Sequence, residues 1–265
     1  MTMRIAGVCV LALIAAAGCG RSQQSERGET QPGAAPDQNR GPQAGAASAD
    51  CRNLPSAADL KKLLRQAPAE GGEAGGLFSG KMERAAVVNR QGEICGTAVA
   101  TDEAASSWPG SQAIAKAKAY TANAFSTDTL PLSTGRLYTL TQPGHSLWGV
   151  AQPNAFSSDC LVAPQDAAKT DGKVCGGAIA FGGGVPLYRG KTRVGGLGIS
   201  GDTACADHEI AKRVRDLAGL NPAGGKLADD IVYTTSVFAH PVCLNTYQNG
   251  VKIGNEAEAT YPSRP

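Results

Sequence analysis

Two short motifs in the last quarter of the chain contain residue types that bind metals. Cys205-x-x-His208 stands near the start of a predicted helix, and His240-x-x-Cys243 follows in the C-terminal tail. Together they include two of the three histidines in the chain. Thiolates and imidazoles are the usual ligands of tetrahedral zinc, and neutral imidazoles also bind other transition metals. The motifs therefore predict a candidate metal or cofactor site at His208 and His240.

The number of cysteines restricts which of these ligands are available. Cys9 and Cys19 lie in a predicted export signal, and the other six form an even set: Cys51, Cys95, Cys160, Cys175, Cys205 and Cys243. In an oxidising compartment, six cysteines form up to three disulfides, in pairings that sequence alone leaves open. We expect the pairs Cys51 with Cys95, Cys160 with Cys175, and Cys205 with Cys243.

The third of these pairs bears directly on the candidate site. His208 and His240 are each three residues from a bridged cysteine, so a bridge between Cys205 and Cys243 brings the two imidazoles into one neighbourhood. A disulfide leaves no thiolates for zinc, whereas two neutral imidazoles can still ligate haem iron or another transition metal. The alternative is a structural disulfide beside two histidines that form ordinary hydrogen bonds.

The N-terminus has the features of a secretory signal. Arg4 precedes an apolar run from Ile5 to Ala17, which is too short to span a membrane as a helix. The run ends at Gly18-Cys19 and resembles the lipobox of bacterial lipoproteins, although Ala16 stands where leucine is usual. We expect residues 1–18 to be a signal peptide and Cys19 to carry a lipid anchor. The protein then lies on the periplasmic side of the cell envelope, or is secreted if the lipobox is not used.

The composition divides the rest of the chain into a tether and one domain. Residues 20–50 contain no Val, Ile, Leu, Met, Phe, Trp or Tyr, so residues 19–50 are predicted to be a disordered tether. Residues 51–265 are long enough for a single domain with its own core. With a net charge of +2, the chain has no electrostatic basis for a general nucleic-acid partner.

Hydrophobic periodicity and turn residues predict helices packed on an antiparallel sheet. A first helix starts at Ser56 with Asp59 in a capping box, and its apolar face contains Leu60, Leu63, Leu64 and Ala67. The other expected elements are a β-hairpin over 82–89 and 93–100, a helix over 112–125, strands over 185–188 and 192–199, a helix over 204–220 and a last strand over 231–238. Residues 126–175 contain four prolines and are predicted to be irregular, with a strand-like piece over 136–141; regular structure returns at 176–181.

Two glycine motifs are not interpreted as nucleotide sites. Gly196-x-Gly198-x-x-Gly201 fits the dinucleotide fingerprint in spacing, but no acidic residue ends a following parallel strand. Gly182-Gly183-Gly184 lacks the lysine of a phosphate loop, which favours a role in the backbone. The helix over 112–125 is rich in alanine, which predicts either tight packing on the sheet or a shallow groove for a flat ligand.

The stretch from Met82 to Leu220 resembles the GlcG/HbpS family of haem-binding or haem-degrading-type domains. Three segments carry the resemblance: the hairpin strand and turn at 86–92, the helix at 111–125, and the glycine-rich strands at 182–201 followed by Asp207, Glu209 and Ala211. The resemblance covers more than half of the predicted domain. Two features depart from the short family pattern, namely the loop between Cys160 and Cys175 and the C-terminal extension.

The resemblance implies a profilin-like layered fold with a central antiparallel sheet flanked by helices, assembly into homo-oligomers, and haem or a related tetrapyrrole as ligand. It also places Lys116, Tyr120 and Thr121 on the family helix as possible lining of the ligand site. We expect a binding protein for sensing, storage or delivery, since no cluster of acid, base and nucleophile supports catalysis. The alternatives are a haem-degrading or redox accessory enzyme, and a structural oligomer without a ligand.

Overall fold

The computed structural model describes residues 49–256. The predicted signal peptide, Cys19 and nearly all of the predicted tether lie outside these residues. The helices and strands are α1 (Ala57–Gln66), β1 (Arg84–Asn89), β2 (Ile94–Val99), α2 (Ser111–Phe125), β3 (Gly184–Arg189), β4 (Thr192–Ser200), α3 (Ala204–Leu217), β5 (Thr246–Gln248) and β6 (Val251–Gly254). Short 3₁₀ turns connect several of them. Among the described residues, no helix is both long and apolar enough to cross a membrane.

Four strands form a central sheet in the order β2-β1-β4-β3, with every neighbouring pair antiparallel. On one face, side chains of α1 and α3 such as Leu60, Leu64 and Ile210 pack with Val87 and Ile199 of the sheet. On the other face, α2 covers a second apolar cluster. The predicted fold class, a central antiparallel sheet flanked by helices, is confirmed.

The start of α1 follows the predicted capping box. The Ser56 hydroxyl accepts a hydrogen bond from the Asp59 N–H at 3.2 Å, and the Asp59 carboxylate accepts one from the Ser56 N–H at 3.2 Å. These bonds satisfy two donors that a helix end would otherwise leave without a partner. The helix then buries Leu60 and Leu64 completely.

The alanine-rich helix α2 packs directly on the sheet. A Cβ added to Gly198 would overlap the carbonyl oxygen of Ala115, and one added to Gly196 would overlap that of Ala119. Glycine in β4 and alanine in α2 therefore let the two backbones approach closely. Of the two interpretations of this helix, tight packing is the one that the structure has.

Three disulfides join Cys51 to Cys95, Cys160 to Cys175 and Cys205 to Cys243, which are the pairs expected from the sequence. The first attaches the turn Ala49–Asn53 to β2. The second closes the loop between Cys160 and Cys175. The third holds the C-terminal tail against the start of α3.

Three expected strands are absent from the described residues. Residues 231–238 bend back on themselves, and the His240 N–H donates to the Val232 carbonyl at 2.8 Å. This segment is fixed by bonds to side chains, including one from the Gln248 amide to the Ile231 carbonyl, rather than by a neighbouring strand. Residues 136–141 lie in 3₁₀ turns, and 176–181 form only an isolated bridge at Gly176.

The hairpin β5–β6 was missed, although the sequence contains a strong signal for it. Asn249 and Gly250 form its turn with φ values of 52° and 81°. Two adjacent residues of positive φ are typical of a type I′ turn, for which Asn-Gly is the preferred pair. The dipeptide could therefore have located the hairpin.

Candidate functional site

The bridge between Cys205 and Cys243 brings His240 into a closed environment. Its Nε2 accepts a hydrogen bond from the Gly182 N–H at 3.2 Å, which places the ring proton on Nδ1. Nδ1 donates that proton to the Pro241 carbonyl at 2.7 Å. The side chain is buried, and burial lowers the pKa of His240 to about 4. His240 is therefore neutral, with both ring nitrogens in use.

A metal does not fit the resulting cluster. Ligand atoms of Cys205, His240 and Cys243 lie within 4.8 Å of one another, and His240 Nδ1 is 4.0 Å from Cys205 Sγ. The two sulfurs are bonded to each other, and Nδ1 carries a proton, so the cluster offers neither a thiolate nor an imidazole lone pair to a metal at this point. His208 is not part of the cluster. The four-ligand zinc alternative does not form.

His208 lies in a different buried network on α3. The residue is 1% exposed, and its Nε2 is 3.2 Å from an oxygen of Asp230. Asp230 also accepts from Lys212 at 2.7 Å and from Gln248 at 3.0 Å. Burial opposes ionisation of Asp230, but His208 and Lys212 outweigh it and lower the pKa of this carboxyl group. The network fixes the C-terminal hairpin to α3.

Neither histidine can therefore serve as an axial ligand to an external haem in this arrangement. Each ring is buried: both nitrogens of His240 are hydrogen-bonded, whereas His208 lies beside Asp230 with neither ring nitrogen in hydrogen-bonding geometry. The Cys205–Cys243 bridge holds the segment of His240 against α3, the helix that carries His208. Both histidines therefore take part in the packing of the tail.

A second buried charge cluster lies beneath α2. Lys118 forms an ion pair with Asp207 at 2.6 Å, donates to the Ile199 carbonyl at 2.9 Å and lies over the ring of Phe181. Glu83 is buried beside this pair, and no donor has hydrogen-bonding geometry to either of its oxygens. Burial, followed by the negative charge of Asp207, raises the pKa of Glu83 well above its usual value. Burial at this position therefore favours the neutral form of Glu83.

The three residues expected on the family helix have different environments. Lys116 is buried, and its amine donates to the Cys160 carbonyl at 3.4 Å. Burial lowers the pKa of this amine to about 8. Thr121 is also buried, and its hydroxyl donates to the Ala117 carbonyl and accepts from the Ile179 N–H. Tyr120 is partly exposed, so it is the one member of the three that an external ligand can reach.

The third histidine, which the sequence reasoning passed over, is at the surface. His145 is exposed and lies in the irregular region after α2. Its backbone N–H donates to Gln142, and its carbonyl accepts from the Trp148 N–H at 3.1 Å. Trp148 is 63% exposed. The signal in the sequence was the histidine itself, which was overlooked because no cysteine motif surrounds it.

A groove of about 590 Å³ lies between α1, the turn Ala49–Asn53 and the end of α3. Its walls include the cations Arg52, Lys62 and Arg189. Because these residues are far apart in sequence, no motif marks them. Within the described part of the chain, none of the three has a carboxylate within 4.0 Å. Asp59 also lines the groove, so its walls carry three cations and one carboxylate.

A protein-family model described as "Haem degrading protein HbpS-like" matches residues 56–216, which is more than half of the chain. The chain belongs to the HbpS-like family. The HbpS-like region includes the whole central sheet and all but the last residue of α3, and it contains His145 and His208. His240, Cys243 and the β5–β6 hairpin lie beyond it. No curated protein is significantly similar to the sequence.

Several solved structures resemble the HbpS-like chain. The PduOC–haem complex is 22% identical, with a TM-score of 0.41, and the match covers 64% of this chain and 93% of that one. Klebsiella pneumoniae protein ORFY is 20% identical, with a TM-score of 0.42, and the match covers 68% of this chain and 96% of that one. A double mutant of Streptomyces reticuli HbpS is 19% identical, with a TM-score of 0.36, and the match covers 70% of this chain and 98% of that one. Residue roles do not transfer at these levels of similarity.

Proposed function

We propose that this HbpS-like chain is an exported, lipid-anchored protein of the cell envelope that binds haem or a related tetrapyrrole for sensing, storage or delivery. The observation that carries the proposal is the family match over residues 56–216, because the family is described by its action on haem. Tetrapyrrole binding on this chain does not use His208 and His240 as iron ligands, since both rings are buried and out of reach of an external ligand.

Export is supported by the cysteines. All six that follow the predicted tether are in disulfides, two of which are long-range connections between separate elements. Such a set is typical of proteins that fold in an oxidising compartment. The apolar N-terminal run that ends at Cys19 provides a matching export signal and a lipid attachment point.

Hemin titration tests the binding function. We expect the full chain, purified in detergent from the membrane fraction, to give a shifted Soret band that saturates at one hemin per chain. The double variant His208→Gln with His240→Gln should still bind hemin. Absence of a saturable band with folded wild-type protein would refute the binding function.

We also propose that the protein is a homo-oligomer. Elution as a monomer in size-exclusion chromatography with light scattering would refute this.

The anchor has its own test. We expect the wild-type chain to be recovered in the membrane fraction, and Cys19→Ser to be recovered in the soluble periplasmic or secreted fraction with an unchanged fold. Cys9→Ser is the matched control, because this cysteine lies inside the predicted signal rather than at its end. Equal partition of the Cys19→Ser and wild-type proteins would exclude the lipid anchor.

A second candidate function is favoured by the family's description, which names haem degradation. The described ionisable clusters do not favour it, because Glu83, Lys118 and Asp207 are buried away from any external ligand. Incubation of the haem-loaded protein with a reductant or peroxide separates the two functions. A binding protein retains its Soret band, whereas a degrading enzyme bleaches the band over repeated turnovers and releases iron.

A further inference from the structure

The three histidines of this chain differ in one property that decides whether they can bind external iron. His208 and His240 are 1% and 4% exposed, whereas His145 is exposed. No described residue forms a hydrogen bond with the ring nitrogens of His145. The six cysteines at 51–243 are in disulfides, which removes thiolate as an alternative ligand. His145 is therefore the imidazole that an external haem can reach.

A large apolar side chain lies next to this imidazole. The Trp148 N–H donates to the His145 carbonyl, so the two residues are the first and last of one tight turn. Trp148 is 63% exposed in the single chain, which leaves most of its indole available for contact. The turn thus carries an exposed imidazole and an exposed indole three residues apart, and these are groups that suit the two parts of a haem, its metal centre and its flat apolar ring.

The base of the turn is held by the C-terminal tail. The Thr139 hydroxyl donates to the Ala239 carbonyl at 2.7 Å, and the ring of Tyr138 packs on that of His240 with 5.1 Å between centroids. The Tyr138 carbonyl accepts a hydrogen bond from the Gln142 side-chain amide at 2.9 Å. The Gln142 carbonyl in turn accepts one from the His145 N–H. His240 therefore supports the segment that carries His145.

Building on the proposed function, we infer that His145 is the axial ligand to the haem iron and that Trp148 packs against the porphyrin beside it. Neutral imidazole nitrogen is a common iron ligand in haem proteins. The tail segment that contains Ala239 and His240, which we call the platform, is held by the Cys205–Cys243 disulfide. It contacts the base of the turn at Thr139 and Tyr138. The ring of His240 thus supports the turn without touching the ligand.

Variants of the full chain in detergent, titrated with hemin, test this assignment. We expect His145→Ala to weaken hemin binding at least tenfold and to remove the Soret shift of the ligated iron. Added imidazole should restore the shift to the His145→Ala protein. Binding of iron-free protoporphyrin IX should be unchanged by His145→Ala and weakened by Trp148→Ala. Trp108→Ala is the matched control, because Trp108 is 51% exposed and packs on Phe78, outside the turn of His145, so its loss should leave the binding of both ligands unaffected.

The outcomes separate this inference from the proposed function. If wild-type protein binds neither hemin nor protoporphyrin, the proposed function fails. If wild-type protein binds hemin and His145→Ala binds it with the same affinity and spectrum, the function stands and the assignment of His145 is overturned. Loss of hemin binding in both Trp148→Ala and Trp108→Ala would also overturn it, because the effect would then not be specific to the turn.

Discussion

His240 shows how burial converts a candidate ligand into a structural residue. Burial lowers the pKa of His240 to about 4, and the charges on His208 and Lys118 act in the same direction. In an unfolded chain the same imidazole titrates near 6.5. As the pH falls, the unfolded state therefore takes up a proton before the folded state does.

This order of protonation predicts a pH dependence of stability. The contribution of neutral His240 is fully present above about pH 6.5 and is lost as the pH falls towards 4, by about 3 kcal/mol in total. His240→Gln retains a hydrogen-bond acceptor but cannot titrate, so its free energy of unfolding should depend less on pH. Urea denaturation at pH 7.5, 5.5 and 4.5 measures both slopes, and equal slopes would contradict the prediction.

Glu83 predicts a dependence of opposite sign. Burial and the charge of Asp207 raise the pKa of Glu83. An acid whose pKa is raised by folding stabilises the protein below its usual pKa, and this contribution is lost as the pH rises towards the folded value. Glu83→Gln keeps the neutral form at every pH, so we expect it to be more stable than wild type at pH 8. The difference should shrink at pH 5.

Denaturant titrations at the two pH values check this expectation. Glu103→Gln is the control, because Glu103 is exposed and its replacement should have little effect at either pH. A Glu83→Gln protein less stable than wild type at pH 8 would show that folding does not raise the pKa of Glu83.

The contact between α2 and β4 is the tightest feature at the scale of elements. Because a Cβ on Gly198 would overlap the Ala115 carbonyl, Gly198→Ala must separate the helix from the sheet. We expect a loss of about 3 kcal/mol in the free energy of unfolding, at the upper end of the usual cost of overpacking. Gly110→Ala is the matched control, because nothing lies within 4 Å of its added methyl group. Similar melting temperatures for the two variants would disprove close packing.

Local sequence patterns correctly predicted those elements whose formation depends on residues within the element itself. Ser56 and Asp59 marked the start of α1, and the spacing of Leu60 and Leu64 marked its buried face. The strand predicted over residues 231–238 is absent. Their β-branched composition suits a strand, but no strand among the described residues lies beside them to pair with. Their conformation depends on Asp230 and Gln248, which sequence periodicity does not reveal.

The sequence predicted which cysteines of the candidate site are bonded to each other, but not that its two histidines are buried. The disulfide between Cys205 and Cys243 is the expected pair, and it holds the segment of His240 against the helix that carries His208. The spacing of the motifs gave no information on burial, which depends on Gly182 and Asp230 from distant segments. For the same reason the spacing gave no weight to His145, whose surface position follows from the path of the irregular region.

At the scale of the whole molecule, the HbpS-like region ends at residue 216 and the described chain continues to residue 256. This extension does not add to the central sheet. It packs its hairpin on α3 through Asp230 and Lys212, and it supports the turn of His145 through Ala239 and His240. The extension is joined covalently to the family core by a single disulfide between the described residues, Cys205 with Cys243.

Two of the disulfides, Cys205 with Cys243 and Cys160 with Cys175, should therefore differ in what they contribute. Cys205 with Cys243 spans 38 residues and Cys160 with Cys175 spans 15, which in the chain-entropy model correspond to about 4 and about 3 kcal/mol. Because the longer bridge also holds the platform, its double serine variant should weaken hemin binding as well as stability. The Cys160–Cys175 double serine variant should lower the melting temperature with little effect on hemin affinity. Thermal melts and hemin titrations of both variants test this, and a loss of hemin affinity confined to the Cys160–Cys175 variant would place the ligand against the long loop instead of the tail.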